Sequence, residues 1–196
     1  TPETSFNDQI ITCGVESNDV NDDLVFTSYQ WKVLSNGTMV DLEENAEELF
    51  PRPSEITPGD RVFCSVEVDD GESTATSETH TLIQNREPEF TEMLILSTEN
   101  VRAGTSVECI GLGEDIDGES TDISFQWRHG LNDLNGTLLG LQETLHLTEM
   151  NAIKDEFVSC FATIEDESGA SVTTHSSIRI ENTPPTMDLV QIIPVA

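Results

Sequence analysis

Residues 25–33 of the chain read VFTSYQWKV, and residues 123–128 read ISFQWR. Both stretches alternate with a period close to two, and both contain an aromatic residue, glutamine, tryptophan and a basic residue in that order. Strict alternation with aromatic and β-branched residues is typical of a half-buried β-strand. Trp31 and Trp127 lie 96 residues apart, so the sequence predicts the same central strand twice, each with its tryptophan facing a core.

The cysteines repeat with the same displacement. Cys13 precedes Trp31 by 18 residues and Cys64 follows it by 33, and Cys109 and Cys160 flank Trp127 with the same two gaps. All four cysteines and both tryptophans of the chain are used in this pattern. The chain is therefore predicted to be a tandem repeat of two β-sandwiches.

The repeat extends beyond the second cysteine of each set. Acidic turns at 69–71 and 165–169 are followed by Asn-x-x-Pro at 85–88 and 182–185, and then by apolar stretches at 93–96 and 190–193. Proline fixes φ and cannot donate to a ladder, which suits a short, stiff hinge. We predict one module over residues 1–87, a second over 88–184, and a surplus first strand over 185–196.

The surplus strand puts the chain out of phase with its own modules. Met93 to Leu96 is the natural first strand of module two, and its counterpart at 190–193 has no module after it. Module one, which opens at Thr1, is predicted to lack a first strand of its own. The repeat is therefore expected to continue into a further module or into a neighbouring subunit.

The order of these motifs resembles a known family. An acidic loop (Asp115-Ile116-Asp117-Gly118), aromatic-Gln-Trp, an Asn-Gly turn, Gly59-Asp60 before the second cysteine and the Asn-x-x-Pro hinge are similar to tandem immunoglobulin-like repeats of large prokaryotic surface proteins, akin to PKD and cadherin-like arrays. Module one departs from this pattern at 21–23, where Asn-Asp-Asp stands in place of Asp-Gly. Module two departs from it at 154–156, where Lys-Asp-Glu stands in place of Gly-Asp.

The resemblance implies an all-β fold of two tandem immunoglobulin-like β-sandwiches, each with an inter-sheet disulfide packed on a tryptophan. The expected pairs are Cys13–Cys64 and Cys109–Cys160. Metal ligation or free buried thiols are the alternative, but the chain has no Cys-x-x-Cys pair and lacks the ligand spacing of zinc sites. Disulfides persist in oxidising compartments, which predicts an extracellular or cell-surface location.

The charge of the chain excludes some partners. The sequence holds 38 acidic and 8 basic residues, for a formal net charge of −30. No basic face can be assembled, so nucleic acid is not expected as a partner. No apolar run is long enough to cross a membrane, so membrane insertion of this segment is not expected either.

Calcium is the cofactor that the acidic loops suggest, because it selects clustered carboxylate and carbonyl oxygens. The loop before each tryptophan strand, the last hairpin and the hinge are expected to meet at one end of a sandwich, where calcium would stiffen the array. A solvated acidic turn is the alternative for each of them. The candidate ligands are Asp19, Asn21, Asp69, Asp70, Asn85, Glu87, Asp115, Asp117, Glu165 and Asp166.

Two Asn-Gly-Thr sequons, at Asn36 and Asn135, follow the tryptophan strands. An Asn-Gly pair is first a tight hairpin turn. Its recurrence with threonine on modules predicted to be exported also makes both asparagines candidate glycosylation sites.

No catalytic motif accompanies these features. The sequence lacks a nucleophile elbow, a phosphate loop and a His-Glu metal motif, and the proximity of carboxylates carries no information among 38 acids. The chain is not expected to be an enzyme, and calcium is the only cofactor suggested.

The function predicted is a structural repeating unit of an extracellular filament, stalk or adhesin. Its partners would be neighbouring copies or further repeats, joined head to tail either covalently or by β-strand donation through Leu189, Val190, Ile192 and Ile193. The alternative is a cell-surface binding module that recognises a glycan or protein receptor through its loops.

Overall fold

The computed structural model describes residues 5–18, 24–97 and 100–191, and within these ranges the regular elements are all β-strands. Two of the candidate metal ligands lie outside the described residues, namely Asp19 and Asn21. The same is true of two residues predicted for strand donation, Ile192 and Ile193. The strands in chain order are β1 (Ile11–Thr12), β2 (Phe26–Ser35), β3 (Thr38–Asp41), β4 (Glu48–Leu49), β5 (Arg61–Asp69), β6 (Thr74–Leu82), β7 (Glu89–Leu96), β8 (Ser106–Glu114), β9 (Thr121–His129), β10 (Leu138–Gly140), β11 (Thr144–His146), β12 (Phe157–Asp166) and β13 (Ser171–Arg179).

The chain divides into two compact units. Unit 1 comprises Thr1–Pro88 together with the segments Glu114–Thr121 and Glu165–Ala170, and unit 2 comprises Glu89–Gly113, Asp122–Ile164 and Ser171–Ala196. Two acidic loops that the repeat pattern assigns to module two are thus part of unit 1. No helix in the described ranges is both long and apolar enough to span a bilayer.

Unit 1 contains a four-stranded sheet in the order β3-β2-β5-β6 and a two-stranded sheet formed by β1 and β4. The antiparallel register of β2 and β5 sets Trp31 opposite Cys64. Asn36 and Gly37, both with positive φ, form the two-residue turn between β2 and β3, as expected for an Asn-Gly hairpin.

Unit 2 repeats this arrangement with one addition. Its four-stranded sheet has the order β10-β9-β12-β13, and its second sheet has three strands in the order β11-β8-β7. Strand β7, which contains the predicted first strand Met93 to Leu96, lies on the edge of β8 that β11 leaves open. β8 accordingly extends over nine residues, whereas β1 has two.

A disulfide and a tryptophan form the centre of each core. Cys13 bonds to Cys64 and Cys109 to Cys160, with Cα–Cα distances of 6.4 and 6.3 Å. Each buried indole donates its N–H to a carbonyl 15 residues later, that of Ala46 or Gln142, which removes the penalty of burying that polar group. The prediction of two immunoglobulin-like β-sandwiches with inter-sheet disulfides is confirmed.

Candidate metal centre

Three chain segments of unit 1 bring acidic side chains together: the hinge around Asn85, the loop Glu114–Thr121 and the hairpin Glu165–Ala170. The loop is shaped locally, because Asp115 accepts a 2.7 Å hydrogen bond from the backbone N–H of Asp117 and the positive φ of Gly118 turns the chain after it. Asp166 shapes the hairpin by accepting a 2.8 Å bond from the backbone N–H of Ala170.

These segments form one compact cluster of oxygens. One carboxylate oxygen from each of Asp115, Glu119 and Asp166 lies within 4.8 Å of the other two. Among the residues that the structure describes, this is the one group of three or more side chains that could hold a metal ion. Asn85 adjoins it, with its amide nitrogen donating a 2.9 Å hydrogen bond to Asp166 Oδ2. We call Asn85, Asp115, Glu119 and Asp166 the acidic cluster.

The acidic cluster contains buried oxygens that have no hydrogen-bond partner: Asn85 Oδ1, Asp115 Oδ2 and Glu119 Oε2. The other oxygen of each carboxylate is held, since Asp117 N–H donates to Asp115 Oδ1 and Ser168 Oγ donates to Glu119 Oε1 at 2.7 Å. A buried acceptor without a partner is rare and costs free energy. Asp115 and Glu119 are thus each fixed by one oxygen, and Asn85 by its amide nitrogen, while one oxygen of each side chain is left for another ligand.

The electrostatics of the acidic cluster are unfavourable as it stands. Burial raises the pKa of Asp115, and repulsion from the Asp117 and Asp166 carboxylates raises it further. The pKa of Glu119 is raised mainly by burial and then by the charges of Asp166 and Asp115. A hard cation would satisfy the three unpartnered oxygens and neutralise the repulsion, and calcium accepts this mixture of carboxylate and amide oxygens.

Asp117 lies beside the acidic cluster but serves a different purpose. Its carboxylate is fully buried and is bound by Arg86, whose Nε lies 2.9 Å from Oδ1 and whose backbone N–H lies 2.7 Å from Oδ2. Arg86 also contacts Asp8 and covers the ring of Phe6 at 4.7 Å. Arg86 thus already neutralises Asp117, whose oxygens are not in the group that converges in the acidic cluster.

The remaining predicted ligands are dispersed. Asp69 and Asp70 accept backbone N–H bonds within their own hairpin, and those from Glu72 and Ser73 lower the pKa of Asp70. Glu87 and Glu165 are exposed. The predicted residues that the structure brings together are Asn85, Asp115 and Asp166. Glu119 joins them although the sequence did not single it out as a ligand.

Both sequon asparagines are exposed. Asn135-Gly136 does not form the tight hairpin that the Asn-Gly pair suggests, since it lies in the longer connection from His129 to Leu138. There Asp133 accepts the backbone N–H bonds of both residues. The two identical dipeptides therefore adopt different turns.

Comparisons with known proteins concern the fold alone. No family model and no curated protein matches the chain. Among solved structures it is similar to the three N-terminal domains of the highly immunogenic outer capsid protein (Hoc) of bacteriophage RB49, with 11% identity, a TM-score of 0.39, and coverage of 94% of this chain and 68% of that one.

Two protocadherins are also similar. The protocadherin gammaB4 extracellular domain shares 16% identity at a TM-score of 0.34, over 91% of this chain and 30% of that one. Human protocadherin-24 EC1-2 shares 13% identity at a TM-score of 0.29, over 85% of each chain.

Proposed function

We propose that the chain is a structural repeating unit of an extracellular filament, stalk or adhesin, with modules over residues 1–87 and 88–184 joined head to tail. The observation that carries this proposal is the duplication of one disulfide-pinned sandwich, with the same cysteine separation of 51 residues in each copy. Duplicated modules that are covalently pinned suit mechanical spacing, and their disulfides suit an oxidising compartment.

Labelling of intact cells tests this role. Antibodies raised against the folded chain are expected to decorate projections on unpermeabilised cells of the source organism when imaged by electron microscopy. An antibody against a cytosolic protein serves as the control for leakage. Label that appears only after permeabilisation would contradict the proposal.

The acidic cluster is proposed as a calcium site that ties the hinge to the two loops of unit 1. Asn85, Asp115, Glu119 and Asp166 would supply side-chain oxygens, and water or backbone carbonyls would complete the six to eight that calcium takes. The three unpartnered buried oxygens support this assignment. Calcium removes repulsion among carboxylates that are held together by the fold, so it would stabilise the folded chain.

Calcium is expected to raise the melting temperature of the chelator-treated protein by several degrees. Binding to the folded state alone contributes about 2.7 kcal/mol when free calcium is about 100 times Kd. Asp115→Asn is expected to abolish this response yet to stabilise the calcium-free protein at neutral pH, since it removes a buried charge. Differential scanning calorimetry with and without chelator measures both effects.

The pH dependence has a definite sign. Because the pKa values of Asp115 and Glu119 are raised by folding, the calcium-free protein gains stability as pH falls through these values and loses it as pH rises. This gain should be smaller in Asp115→Asn than in Glu165→Gln, which makes the same charge change at an exposed site. Equal calcium responses in these two variants would rule out the acidic cluster as the site.

A receptor-binding module remains the second candidate, and one observation favours it. Phe50 is 58% exposed in the connection after β4 and adjoins Pro51 and Arg52. Aromatic residues and arginine are enriched at recognition surfaces. Binding to immobilised glycans that Phe50→Ala abolishes would favour this function over the structural one.

A further inference from the structure

Unit 2 contains a strand for which unit 1 offers a cleft. β7 lies on the edge of β8 and against β13, and its side chains Met93 and Ile95 pack on the core around Trp127 and Cys109. Strand β7 therefore closes one side of the sandwich in unit 2, both by backbone pairing and by apolar contact.

The corresponding side of unit 1 is open in the described residues. β1 pairs with β4 alone, and a cleft remains between β1 and β6, lined by Ile11, Thr12, Cys13, Thr79 and Thr81. Trp31, Val62 and Cys64 also line it. The cleft thus reaches the same tryptophan and disulfide that β7 approaches in unit 2.

The exposure of side chains along β6, compared with β13, shows that this side of unit 1 is uncovered in the described residues. β6 and β13 correspond at a displacement of 97 residues, and the core-facing Val172, Thr174 and Ser176 of β13 are half-buried. Their counterparts on β6, Ala75, Ser77 and Thr79, are exposed. A strand-shaped cover is present over β13 and is not present over β6 among the residues described.

The same displacement identifies a segment with the pattern of β7. Val190 and Ile192 correspond to Met93 and Ile95. The described part of this segment forms no strand, and Leu189 and Val190 are 70% and 76% exposed. An exposed apolar stretch of this kind is a typical interaction element.

We propose that residues 188–193 of one copy add as a β-strand to the free edge of β1 in a second copy and cover the cleft between β1 and β6. This proposal deepens the proposed function, on which it rests, by naming the partner as a second copy of this chain. Backbone pairing supplies affinity and the apolar side chains at alternate positions supply specificity. Because donor and acceptor are different surfaces, the contact is heterologous, and its repetition builds an open fibre when the rotation between copies does not close a ring.

Two glycines of unit 2 define which part of the segment docks. A Cβ on Gly111 would lie 3.2 Å from the ring of Phe90, and one on Gly113 would lie 2.6 Å from the carbonyl oxygen of Glu89. Unit 1 has Val15 and Ser17 at these positions. The counterparts of Glu89 and Phe90, which are residues 186 and 187, therefore have no room in unit 1, and the part from residue 188 onward makes the contact.

The test uses two complementary full-length variants. Val190→Asp places a charge in the donor segment and leaves the cleft intact, while Thr79→Lys blocks the cleft and leaves the donor intact. Met150→Asp and Thr76→Lys make the same changes at exposed positions outside the donor segment and cleft. Samples are refolded from denaturant at high concentration and at an ionic strength that screens the charge of −30.

Light scattering after size exclusion should find a ladder of oligomers for the native chain and for both control variants. Val190→Asp and Thr79→Lys alone should each remain at the monomer mass of 21.6 kDa, and their equimolar mixture should stop at twice that mass. A misfolded variant could not complement its partner, so the dimer excludes misfolding.

A native chain that remains monomeric, or variants that polymerise as it does, would overturn strand addition. The first outcome is expected if the cleft is filled from within the same covalent chain. Surface labelling separates this failure from that of the proposed function. If projections on cells are labelled but the purified chain stays monomeric, the structural role is supported and only the joint by strand addition is contradicted.

Discussion

Arg86→Ala is expected to destabilise the protein by about 3 to 5 kcal/mol, because removing one partner of a buried ion pair leaves the other charge uncompensated. The side chain of Asp117 is 0% exposed, and Arg86 supplies the cation that neutralises it. The same substitution removes the contacts of Arg86 with Asp8 and with the ring of Phe6. Urea unfolding monitored by tryptophan fluorescence measures the change.

A matched control separates this effect from the general loss of an arginine. Arg179→Ala removes an ion pair with Asp155 in which the two side chains are 62% and 57% exposed, and exposed pairs contribute about 1 kcal/mol or less. Asp117→Asn added to Arg86→Ala should recover part of the stability, since it removes the unpaired charge. Similar losses for the two arginine variants would contradict a special role for the Arg86–Asp117 ion pair.

Replacing Cys109 and Cys160 together with alanine is expected to destabilise unit 2 by about 4 kcal/mol. The disulfide closes a span of 51 residues, and the chain-entropy relation gives this value for a loop of that length. Both cysteines are buried, so alanine, which introduces no polar group, is the appropriate replacement. Calorimetry should show one transition moving to a lower temperature.

The equivalent double replacement at Cys13 and Cys64 provides the internal comparison, because its disulfide closes a span of equal length. The loss should be similar and should affect the transition of unit 1. Alkylation of the unfolded native protein without reductant, followed by mass spectrometry, should detect no free thiol. Four alkylated cysteines would contradict the disulfide framework.

The acidic loops show how far local pattern predicts a site. Asn85, Asp115 and Asp166 were among ten candidate ligands and lie in the acidic cluster, whereas Asp117 of the same loop is bound by Arg86. With 38 acidic residues, spacing alone cannot distinguish an oxygen that converges with others from one that caps a turn. The scarcity of basic residues is a signal that could have predicted the Arg86–Asp117 ion pair. In a chain with 8 basic and 38 acidic residues, an arginine in the hinge indicates that a nearby carboxylate is paired with it.

The first strand shows a similar division. The sequence predicts β7 in unit 2 and a matching apolar segment at 190–193, because alternation and displacement are visible in the chain itself. The cleft between β1 and β6 is not visible there. The cleft depends on which strands lie side by side. Unit 1 has Val15 and Ser17 where unit 2 has Gly111 and Gly113, and only the distances from these glycines to β7 show that this difference limits which residues can dock.

By itself, the sequence determined the duplicated all-β sandwich, its two disulfides and its buried tryptophans, because these follow from periodicity and from covalent and apolar residues at constant intervals. Only the tertiary structure decided which acids form the cluster, which acid is neutralised by Arg86 and where unit 1 remains open. These properties depend on burial and on distances between segments remote in the chain. Burial gives an unpartnered oxygen or an unpaired charge its free energy, and burial is a property of the folded molecule.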